Sequence, residues 1–310
     1  MAETDISIPS GPIQLRGTLA ADGHAPGPAA LLISGSGPID RDSNTKRLRL
    51  DVMRQLAEHL TASGIASLRY DKRGVGASQG DYLSTGFHDN ISDARAALHL
   101  LRSRPEVDAK QVMVVGHSEG ALIASDLAAD DDLAGVVLLA GAARNGKEVI
   151  SWLSRKVARL LPKPAQGIMK VFRQYFVRTH SKRLDRIEQS SDDVIRIQFV
   201  KLNAKWFREF MTFDPAEALR QAAGPVLAIT GSKDIQVDPA DVDLMEEVVS
   251  TPFTGHVVDD LTHLPRREPG QPSLGNYKKQ ARRSIDPRVG RLITDWATAI
   301  LGSDRAKQHP

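Results

Sequence analysis

Hydrophobic and polar residues alternate near the start of the chain, in the stretch "DISIPSGPIQLRGTLA" (5–20). Alternation places every second side chain on the same face of a strand, so this pattern predicts two short antiparallel strands. The run "AALLISG" (29–35) is apolar without alternation and ends at a glycine. It predicts a buried strand.

The apolar pattern then changes to a helical period. Apolar residues spaced for one helix face precede the strand-like run "IASLRY" (65–70), namely Met53, Leu56, Ala57 and Leu60. A second such set precedes the run "QVMVVG" (111–116), namely Ile91, Ala94, Leu98 and Leu101. Strands that alternate with helices predict an α/β fold, with a mostly parallel central sheet and helices on both faces.

The same rhythm continues beyond residue 116 and resumes toward the end of the chain. A short helix is predicted in "ALIASDLAA" (121–129) and a buried strand in "AGVVLLAGA" (134–142). Two later strands are expected in "GPVLAITG" (224–231) and "GHVVDDL" (255–261). A closing amphipathic helix is indicated by Val289, Leu292, Ile293, Trp296 and Ile300.

A segment of different character interrupts this rhythm. From Arg144 to Asp214 there are 16 Lys and Arg against 7 Asp and Glu, a net charge of +9, which leaves −6 for the rest of the chain. We therefore predict a core formed by residues 1–143 and 216–310, with a basic helical insertion at 144–215. Two amphipathic helices are predicted within the insertion from apolar residues at helical spacing. The first set is Val149, Trp152, Leu153 and Leu160, and the second is Phe199, Leu202, Trp206, Phe210 and Phe213.

Composition narrows the classes of function. The 310 residues include 41 Lys and Arg against 38 Asp and Glu, a net charge of +3 that is too balanced to indicate a nucleic-acid binder. No cysteine is present, which excludes disulfides, thiolate metal sites and thiol catalysis. The N-terminus lacks a secretory pattern, and the apolar stretch 134–143 is about half the length of a membrane span. We expect a soluble cytoplasmic protein without stable membrane insertion; the composition indicates no oligomeric state.

Two G-x-S-x-G pentapeptides occur, and their contexts differ. Ser118 in "GHSEG" (116–120) follows an apolar strand and precedes a predicted helix, as a nucleophile elbow requires. Ser78 in "GASQG" (76–80) has neither a strand before it nor a helix after it, so we interpret it as a surface turn. Ser118 is therefore the predicted nucleophile.

A serine hydroxyl needs a base, and the base works best when a carboxylate orients it. In strand–elbow–helix topologies the expected chain order is serine, acid, histidine, with the acid and histidine on loops after strands. Asp234 in "VLAITGSKD" and His263 in "HVVDDLTHLP" meet this order. His256 is the competing histidine, but it begins a strand. Four neighbouring carboxylates are interpreted as helix-capping or solvated: Asp238, Asp241, Asp259 and Asp260.

Acyl transfer also needs hydrogen-bond donors for the oxyanion that forms. The backbone N–H of Glu119, directly after the nucleophile, is the first candidate. The second is the N–H of Ser36 in "SGSGP" (34–38), because this glycine-rich loop follows an early strand. An ordinary turn at the end of that strand is the alternative.

Five motifs in order along the chain resemble the α/β-hydrolase superfamily: "SGSGPIDRD", "RYDKRGVGAS", "GHSEG", "TGSKDIQV" and "LTH". The best match is to the esterase and serine-aminopeptidase-like branch, whose members carry a helical lid where the basic insertion falls. The string D-x-R-G-x-G-x-S, Asp71 to Ser78, resembles a structural loop of that family. Two departures stand out. Ser34-Gly35 replaces the usual His-Gly, which leaves the oxyanion donor open. A displaced proline, Pro239, leaves Asp238 open as a substitute for Asp234.

These features predict a serine hydrolase that cleaves small-molecule carboxylic esters through an acyl-enzyme, with no metal or organic cofactor. Trp206, Phe207 and Phe210 would suit an acyl or aromatic group, although packing onto the core explains them equally well. The basic insertion would also suit an anionic group, with a solvated charged face as the alternative. A thioesterase, peptidase or acyltransferase using the same triad, or a non-catalytic ligand-binding relative, remains an alternative.

Overall fold

The computed structural model describes residues 2–22, 26–130, 132–160, 184–197, 199–272 and 274–307. Eight strands form one sheet: β1 (Ala2–Ser10), β2 (Ile13–Ala21), β3 (Gly27–Ile33), β4 (Ala66–Tyr70), β5 (Val107–His117), β6 (Gly135–Leu139), β9 (Val226–Gly231) and β10 (Phe253–Val258). A hairpin outside this sheet contains β7 (Val194–Ile197) and β8 (Val200–Asn203).

The large sheet has the order β1-β2-β4-β3-β5-β6-β9-β10. β2 pairs antiparallel with both β1 and β4, and every other pair in the sheet is parallel. The parallel strands end at the same edge of the sheet, so the loops that follow β3, β5, β9 and β10 lie near one another. The predicted mostly parallel α/β fold is confirmed, and the two antiparallel strands at its start are present.

Helices cover both faces of the sheet. They are α1 (Val52–Ala62), α2 (Phe87–Arg102), α3 (Glu119–Asp130), α4 (Gly146–Leu160), α5 (Ala204–Thr212), α6 (Pro215–Arg220), α7 (Asp241–Val248), α8 (Tyr277–Gln280) and α9 (Pro287–Lys307). Residues 184–189 are also helical. None of the helices in the described ranges is long and apolar enough to cross a membrane.

Two hydrophobic clusters, one on each face of the sheet, make up the core. On β3, Leu31 and Ile33 pack with α2 and α3, while the intervening Leu32 packs with α1 and α9. Side chains on successive strand residues point to opposite faces, so a strand covered on both sides must be apolar at every position. This explains why "AALLI" shows no alternation.

The insertion (residues 144–215) is only partly helical, contrary to the sequence prediction. Its described part contains α4, the antiparallel β7–β8 hairpin and α5, and its residues 161–183 lie outside the described ranges. The predicted helix through Phe199 and Leu202 is wrong: Leu202 lies in β8, and Phe199 is in the turn at a φ of 67° and is 95% exposed. Helix α5 begins at Ala204.

The hairpin follows from a local sequence pattern in β7 that the helical spacing of the aromatic residues obscured. Ile195 and Ile197 are buried, while Val194 and Arg196, which alternate with them, are more exposed; this period of two belongs to a strand. The two isoleucines pack in a small cluster within the insertion, together with Ile187. In α4, which was predicted correctly, Val149 packs against the main core, and the side chain of Leu160 lies outside the described part of the chain.

Candidate active site

Ser118 occupies a sharp turn between a strand and a helix. Strand β5 ends at His117 and helix α3 begins at Glu119, which leaves Ser118 alone in the turn with a φ of 57°. A non-glycine residue rarely adopts this left-handed conformation, so the backbone is strained where the hydroxyl is presented. The geometry is that of a nucleophile elbow.

The glycines on either side of Ser118 are required by close backbone contacts. A Cβ added at Gly120 would lie 2.1 Å from the carbonyl oxygen of Ile33, at the end of β3. A Cβ at Gly116 would lie 2.0 Å from the carbonyl oxygen of Gly120. A larger residue at Gly120 would therefore force the elbow away from the end of β3, and one at Gly116 would force β5 and the start of α3 apart.

The structure brings together the three side chains predicted as a triad. The Oγ of Ser118 is 3.1 Å from Nε2 of His263, and Nδ1 of His263 is 2.8 Å from Oδ2 of Asp234. Because the carboxylate can only accept, Nδ1 carries the proton and donates to Asp234. Nε2 is then free to accept the proton of Ser118.

Asp234 is held in place by the backbone of its own loop. Its Oδ1 accepts hydrogen bonds from the backbone N–H groups of Gln236, at 2.7 Å, and Val237, at 3.0 Å. Both oxygens of this buried carboxylate are thus engaged, one by the loop and one by His263. The orientation of the carboxylate is set before any substrate binds.

The other carboxylates after β9 have different partners. Asp238 accepts from the backbone N–H of Ala240 at the start of α7 and forms an ion pair with Arg144 at 3.1 Å, so it does not take the position of Asp234. Asp241 was expected to be helix-capping or solvated, and this is wrong: it is 1% exposed, and its Oδ2 accepts from the backbone N–H of Ala143 instead of capping α7. Burial, opposed by the nearby Arg144, raises the pKa of Asp241 to about 6.

Two further histidines, His117 and His256, lie outside this series of hydrogen bonds. His117 points away from Ser118, and its Nε2 donates to the backbone carbonyl of His263 at 2.8 Å. Burial, followed by the proximity of His263, lowers the pKa of His117 to about 3, so its ring is neutral near pH 7. His256 lies on β10 at the edge of the sheet, paired in register with Ile229.

The two predicted oxyanion donors come from neighbouring segments. Glu119 is the first residue of α3, so its N–H has no partner within the helix. Ser36 lies exposed in the loop after β3. The preceding Gly35 lies so close to Ser118 that an added Cβ would lie 3.2 Å from Cβ of Ser118. The role of both N–H groups stays a prediction.

The side chain of Glu119 is a feature that the sequence analysis missed. It is buried and accepts hydrogen bonds from Nζ of Lys72 at 3.3 Å, Nδ2 of Asn90 at 2.9 Å and Nε1 of Trp206 at 3.2 Å. Nζ of Lys72 also donates to the carbonyl of Gly35 at 2.6 Å. Sequence offers one weak signal, the presence of a charged residue inside the elbow motif.

Ser78, in the second pentapeptide, has a structural role. It is buried rather than exposed in a surface turn: its Oγ donates to the carbonyl of Asp71 and accepts from the N–H of Arg16. In the same loop, burial favours the neutral form of Asp71, but hydrogen bonds from Arg41 and Ala77 hold the pKa of its carboxyl below the usual value. The loop is built on these contacts.

The three aromatic residues proposed for substrate contact occupy different surroundings. Phe210 is buried against Phe87 of α2 at a ring separation of 5.9 Å, and Trp206 stacks on Phe210 at 4.6 Å. Phe207 packs in the small cluster within the insertion. Packing therefore accounts for all three, and contact with substrate stays a prediction.

Arg266 is a second residue that the sequence analysis missed. It is fully buried three residues after His263 and donates to the backbone carbonyls of Leu50, Leu264 and Arg283. Burial lowers its pKa to about 10. By tying the loop that carries His263 to two other segments, Arg266 fixes where that loop lies. Across the described residues, no group of three or more His, Asp or Glu side chains could hold a metal ion.

Comparison with known proteins identifies relatives of this chain. The family model described as "Serine aminopeptidase, S33" matches residues 50–270. Esterase EstD of Thermotoga maritima is 28% identical over 277 residues, covering 88% of this chain and 63% of EstD, so the chain spans less than two thirds of that relative.

Solved structures agree in fold. Est1E from Butyrivibrio proteoclasticus, determined with ferulic acid bound, superposes with a TM-score of 0.64 at 17% identity, over 97% of this chain and 99% of that one. The α/β-hydrolase GrgF from Penicillium sp. sh18 gives 0.64 at 16% identity, over 97% and 100% of the two chains. The likeness at these identities concerns the fold alone. With the family match covering most of the chain, the protein belongs to the serine aminopeptidase S33 family of the α/β-hydrolase superfamily.

Proposed function

We propose that this protein is a serine hydrolase that cleaves small-molecule carboxylic esters through an acyl-enzyme. The observation that carries the proposal is the continuous hydrogen-bonded series Ser118–His263–Asp234, with distances of 3.1 Å and 2.8 Å, at a strained strand-to-helix turn. A ligand-binding relative without catalysis would have no use for a strained, base-paired serine. The name of its relative EstD favours an ester as the substrate.

In the acylation half-reaction, Oγ of Ser118 attacks the ester carbonyl carbon while its proton moves to Nε2 of His263. The imidazolium that forms is stabilised by the carboxylate of Asp234. The N–H groups of Glu119 and Ser36 donate hydrogen bonds to the negatively charged carbonyl oxygen. His263 then protonates the leaving alkoxide, and the alcohol departs as the acyl–Oγ bond remains.

In the deacylation half-reaction, water takes the place of the alcohol. His263 removes a proton from the water as its oxygen attacks the acyl carbon, and the same N–H groups receive the second oxyanion. When the tetrahedral intermediate collapses, Nε2 returns the proton to Oγ of Ser118 and the carboxylic acid leaves. The serine and histidine finish in their starting protonation states.

We also propose that residues 144–215 act as a lid on this site. Support comes from α5, whose Trp206 donates its indole N–H to Glu119, the residue after the nucleophile. The same helix is positioned over α2 through Lys205, which pairs with Asp89 at 2.8 Å. The insertion would thereby set the size and polarity of the acyl pocket.

The proposal is tested by covalent labelling and turnover together. Wild type should gain one fluorophosphonate adduct by intact-mass spectrometry and should hydrolyse p-nitrophenyl acetate and butyrate. Ser118→Ala should lose the adduct, and its kcat should fall by more than about 10⁴-fold. Ser78→Ala is the matched control, because it alters the serine of the other G-x-S-x-G and should still be labelled. A folded wild type that neither labels nor turns over either ester would refute the proposal.

A peptidase is the second candidate, favoured by the description of the matching family as serine aminopeptidase. The same three side chains can cleave an amide if His263 protonates the leaving amine. Turnover of alanine and proline p-nitroanilides, with free and with acetylated amino groups, separates the two functions. A kcat/KM for the free aminoacyl anilides above that for the esters would establish the peptidase.

A further inference from the structure

Lys72 is a buried cation that the mechanism above does not use. It is 4% exposed, and its Nζ donates to two acceptors, the carbonyl oxygen of Gly35 at 2.6 Å and Oε2 of Glu119 at 3.3 Å. Both acceptors belong to residues at the proposed oxyanion hole: Gly35 precedes Ser36, and Glu119 follows Ser118. One ammonium group therefore bridges the two segments that supply the donors.

The contact with Gly35 has a directional consequence. A peptide unit is planar and trans, so the carbonyl of Gly35 and the N–H of Ser36 point in opposite directions from the same plane. A donor that holds the carbonyl on one side fixes the direction of the N–H on the other. A hydrogen bond from a charged donor also polarises the peptide, which strengthens its N–H as a donor.

Tyr82 lies beside the same loop. Its hydroxyl is near the backbone N–H of Gly37, and burial, followed by the charge of Glu119, raises the pKa of that hydroxyl above its ordinary value. The loop is thus held by Lys72 at Gly35, before Ser36, and is bordered by Tyr82 at Gly37, after it.

Fold stability alone does not explain the buried ion pair between Lys72 and Glu119. Removing two charges from water costs several kcal/mol for each ion, and a buried pair is often no more stabilising than apolar residues of similar volume. Glu119 also accepts from Asn90 and Trp206, so its carboxylate is engaged by three donors and is not free to act as a base. The arrangement suits orientation rather than proton transfer.

We propose that Lys72 is a positioning residue for the oxyanion hole, which by holding the carbonyl of Gly35 and the carboxylate of Glu119 directs the N–H groups of Ser36 and Glu119 to one point. The proposal rests on the proposed function, because an oxyanion forms only if Ser118 attacks a carbonyl. Lys72 touches neither substrate nor Ser118 in this role. It acts through the two backbone segments.

The test compares Lys72→Met/Glu119→Gln with Glu119→Gln alone. Replacing both charges avoids an unpaired buried carboxylate, and the two variants differ only at residue 72, in its charge and in its contact with Gly35. We expect kcat for p-nitrophenyl butyrate to be roughly 10- to 100-fold lower in the double variant, with KM within about twofold. The inhibition constant of a trifluoromethyl ketone, which forms a tetrahedral oxyanion with serine, should rise by a similar factor.

A loss of fold is distinguished from a loss of orientation by further variants. Lys72→Gln/Glu119→Gln replaces the ion pair with two amides. Because the side chain at residue 72 is then shorter and neutral, we expect the same loss of kcat as in Lys72→Met/Glu119→Gln, with a Tm equal to that of Glu119→Gln. Arg220→Met is the control: it removes a cation paired with Glu217 at 2.7 Å on α6, and its ketone affinity should stay within about twofold of wild type.

Equal kcat and equal ketone affinity in Glu119→Gln and either folded double variant would overturn the role of Lys72, while leaving the proposed function intact. A fall in kcat with unchanged ketone affinity would overturn it as well, because the oxyanion would then be held normally. Absence of fluorophosphonate labelling and ester turnover in wild type would overturn both proposals at once.

Discussion

At the residue scale, the site depends on a few positions where backbone and side chains approach closely. Ser118 is held in a left-handed conformation, and Gly120 lies against the end of β3. His117, next to the nucleophile, is neutral and donates to the carbonyl of His263. The elbow and the histidine loop are therefore joined by a hydrogen bond that takes no part in the proposed proton transfer.

Gly120→Ala should disrupt the elbow. Its new Cβ would meet the carbonyl oxygen of Ile33 at 2.1 Å, a backbone atom that cannot rotate away, so α3 or β3 must shift. We expect ester kcat/KM to fall by at least about 100-fold, because an error of about 1 Å in the position of the nucleophile has that effect. Far-UV circular dichroism and ester kinetics measure this. Gly270→Ala is a useful comparison, because its φ lies outside the left-handed region and its Cβ would meet only the carboxylate end of Glu268, at 3.7 Å. Equal kcat/KM in Gly120→Ala and wild type would contradict the steric argument.

His117 should make the protein less stable in acid. The unfolded chain binds a proton at this histidine below about pH 6.5, whereas the folded protein does so only near pH 3. As pH falls through that window, the unfolded state gains protons and stability declines, by up to about 1.4 kcal/mol per pH unit. Asp241 acts in the opposite direction below about pH 6, because burial raises its pKa.

Comparison with His117→Gln isolates the histidine, since Asp241 titrates in both proteins. Glutamine can still donate to the carbonyl of His263 but does not titrate. Urea unfolding at several pH values between 7.5 and 5 should show wild type losing stability more steeply than the variant. Parallel profiles would show that His117 is protonated in the folded protein at the same pH as in the unfolded chain.

At the scale of elements, helix α5 of the insertion is fastened to the core by side chains at successive turns. Asn203 caps α5 by accepting from the N–H of Trp206 and also donates to the carbonyls of Tyr82 and Thr85. Six residues further on, Glu209 accepts from the N–H of His88 in the first turn of α2, where a carboxylate is favoured. The helix is docked by polar contacts as well as by the stacked rings.

Asn203→Ala should therefore lower the free energy of unfolding by more than the loss of a helix cap alone would. A cap contributes about 1 kcal/mol, and two carbonyls would lose their donor, each worth roughly another 1 kcal/mol. Asn145→Ala is the matched control, because Asn145 caps α4 through the N–H of Glu148. Chemical unfolding should show a free energy of unfolding lower in Asn203→Ala than in Asn145→Ala by about 2 kcal/mol. Similar losses in the two variants would mean that the contacts with residues 82 and 85 contribute nothing.

At the scale of the whole molecule, charge is distributed unevenly between the insertion and the core. The insertion carries +9 from Arg144 to Asp214 and the remainder −6. Some of these charges form ion pairs between the insertion and the core: Lys205 pairs with Asp89, and Arg144 pairs with Asp238 and Asp241. The surplus of positive charge remains near the proposed lid.

This surplus should favour anionic esters in a salt-dependent way. Substrate attraction by surface charge is screened over about 10 Å at 0.1 M salt and over about 3 Å at 1 M. The ratio of kcat/KM for p-nitrophenyl hemisuccinate to that for p-nitrophenyl butyrate should fall as NaCl is raised between those concentrations. The neutral ester controls for effects of salt on the chemistry. A constant ratio would show that the charge of the insertion is not felt at the site.

Much of the fold could be predicted because its signals are local. Met53, Leu56 and Leu60 recur at helical spacing because one face of α1 is buried. The parallel strands are apolar at successive positions because both faces of the sheet are covered. Ser118 was separated from Ser78 by the strand and helix around it. The hairpin in the insertion was missed because the spacing of Phe199, Leu202 and Trp206 matched a helix by coincidence, while the period of Ile195 and Ile197 was the stronger signal.

The sequence by itself determined the order of elements and the residues able to form a triad, because period and position after a strand are properties of neighbours in the chain. Tertiary structure decided which residues meet. Asp234 rather than Asp238 reaches His263, because β9 and β10 are adjacent and the Asp234 loop folds back on itself. Lys72, on the loop after β4, meets Glu119 only because β4, β3 and β5 are neighbours in the sheet. These contacts join residues 29 and 47 positions apart in the chain, and they depend on the order of the strands in the sheet, which no local pattern encodes.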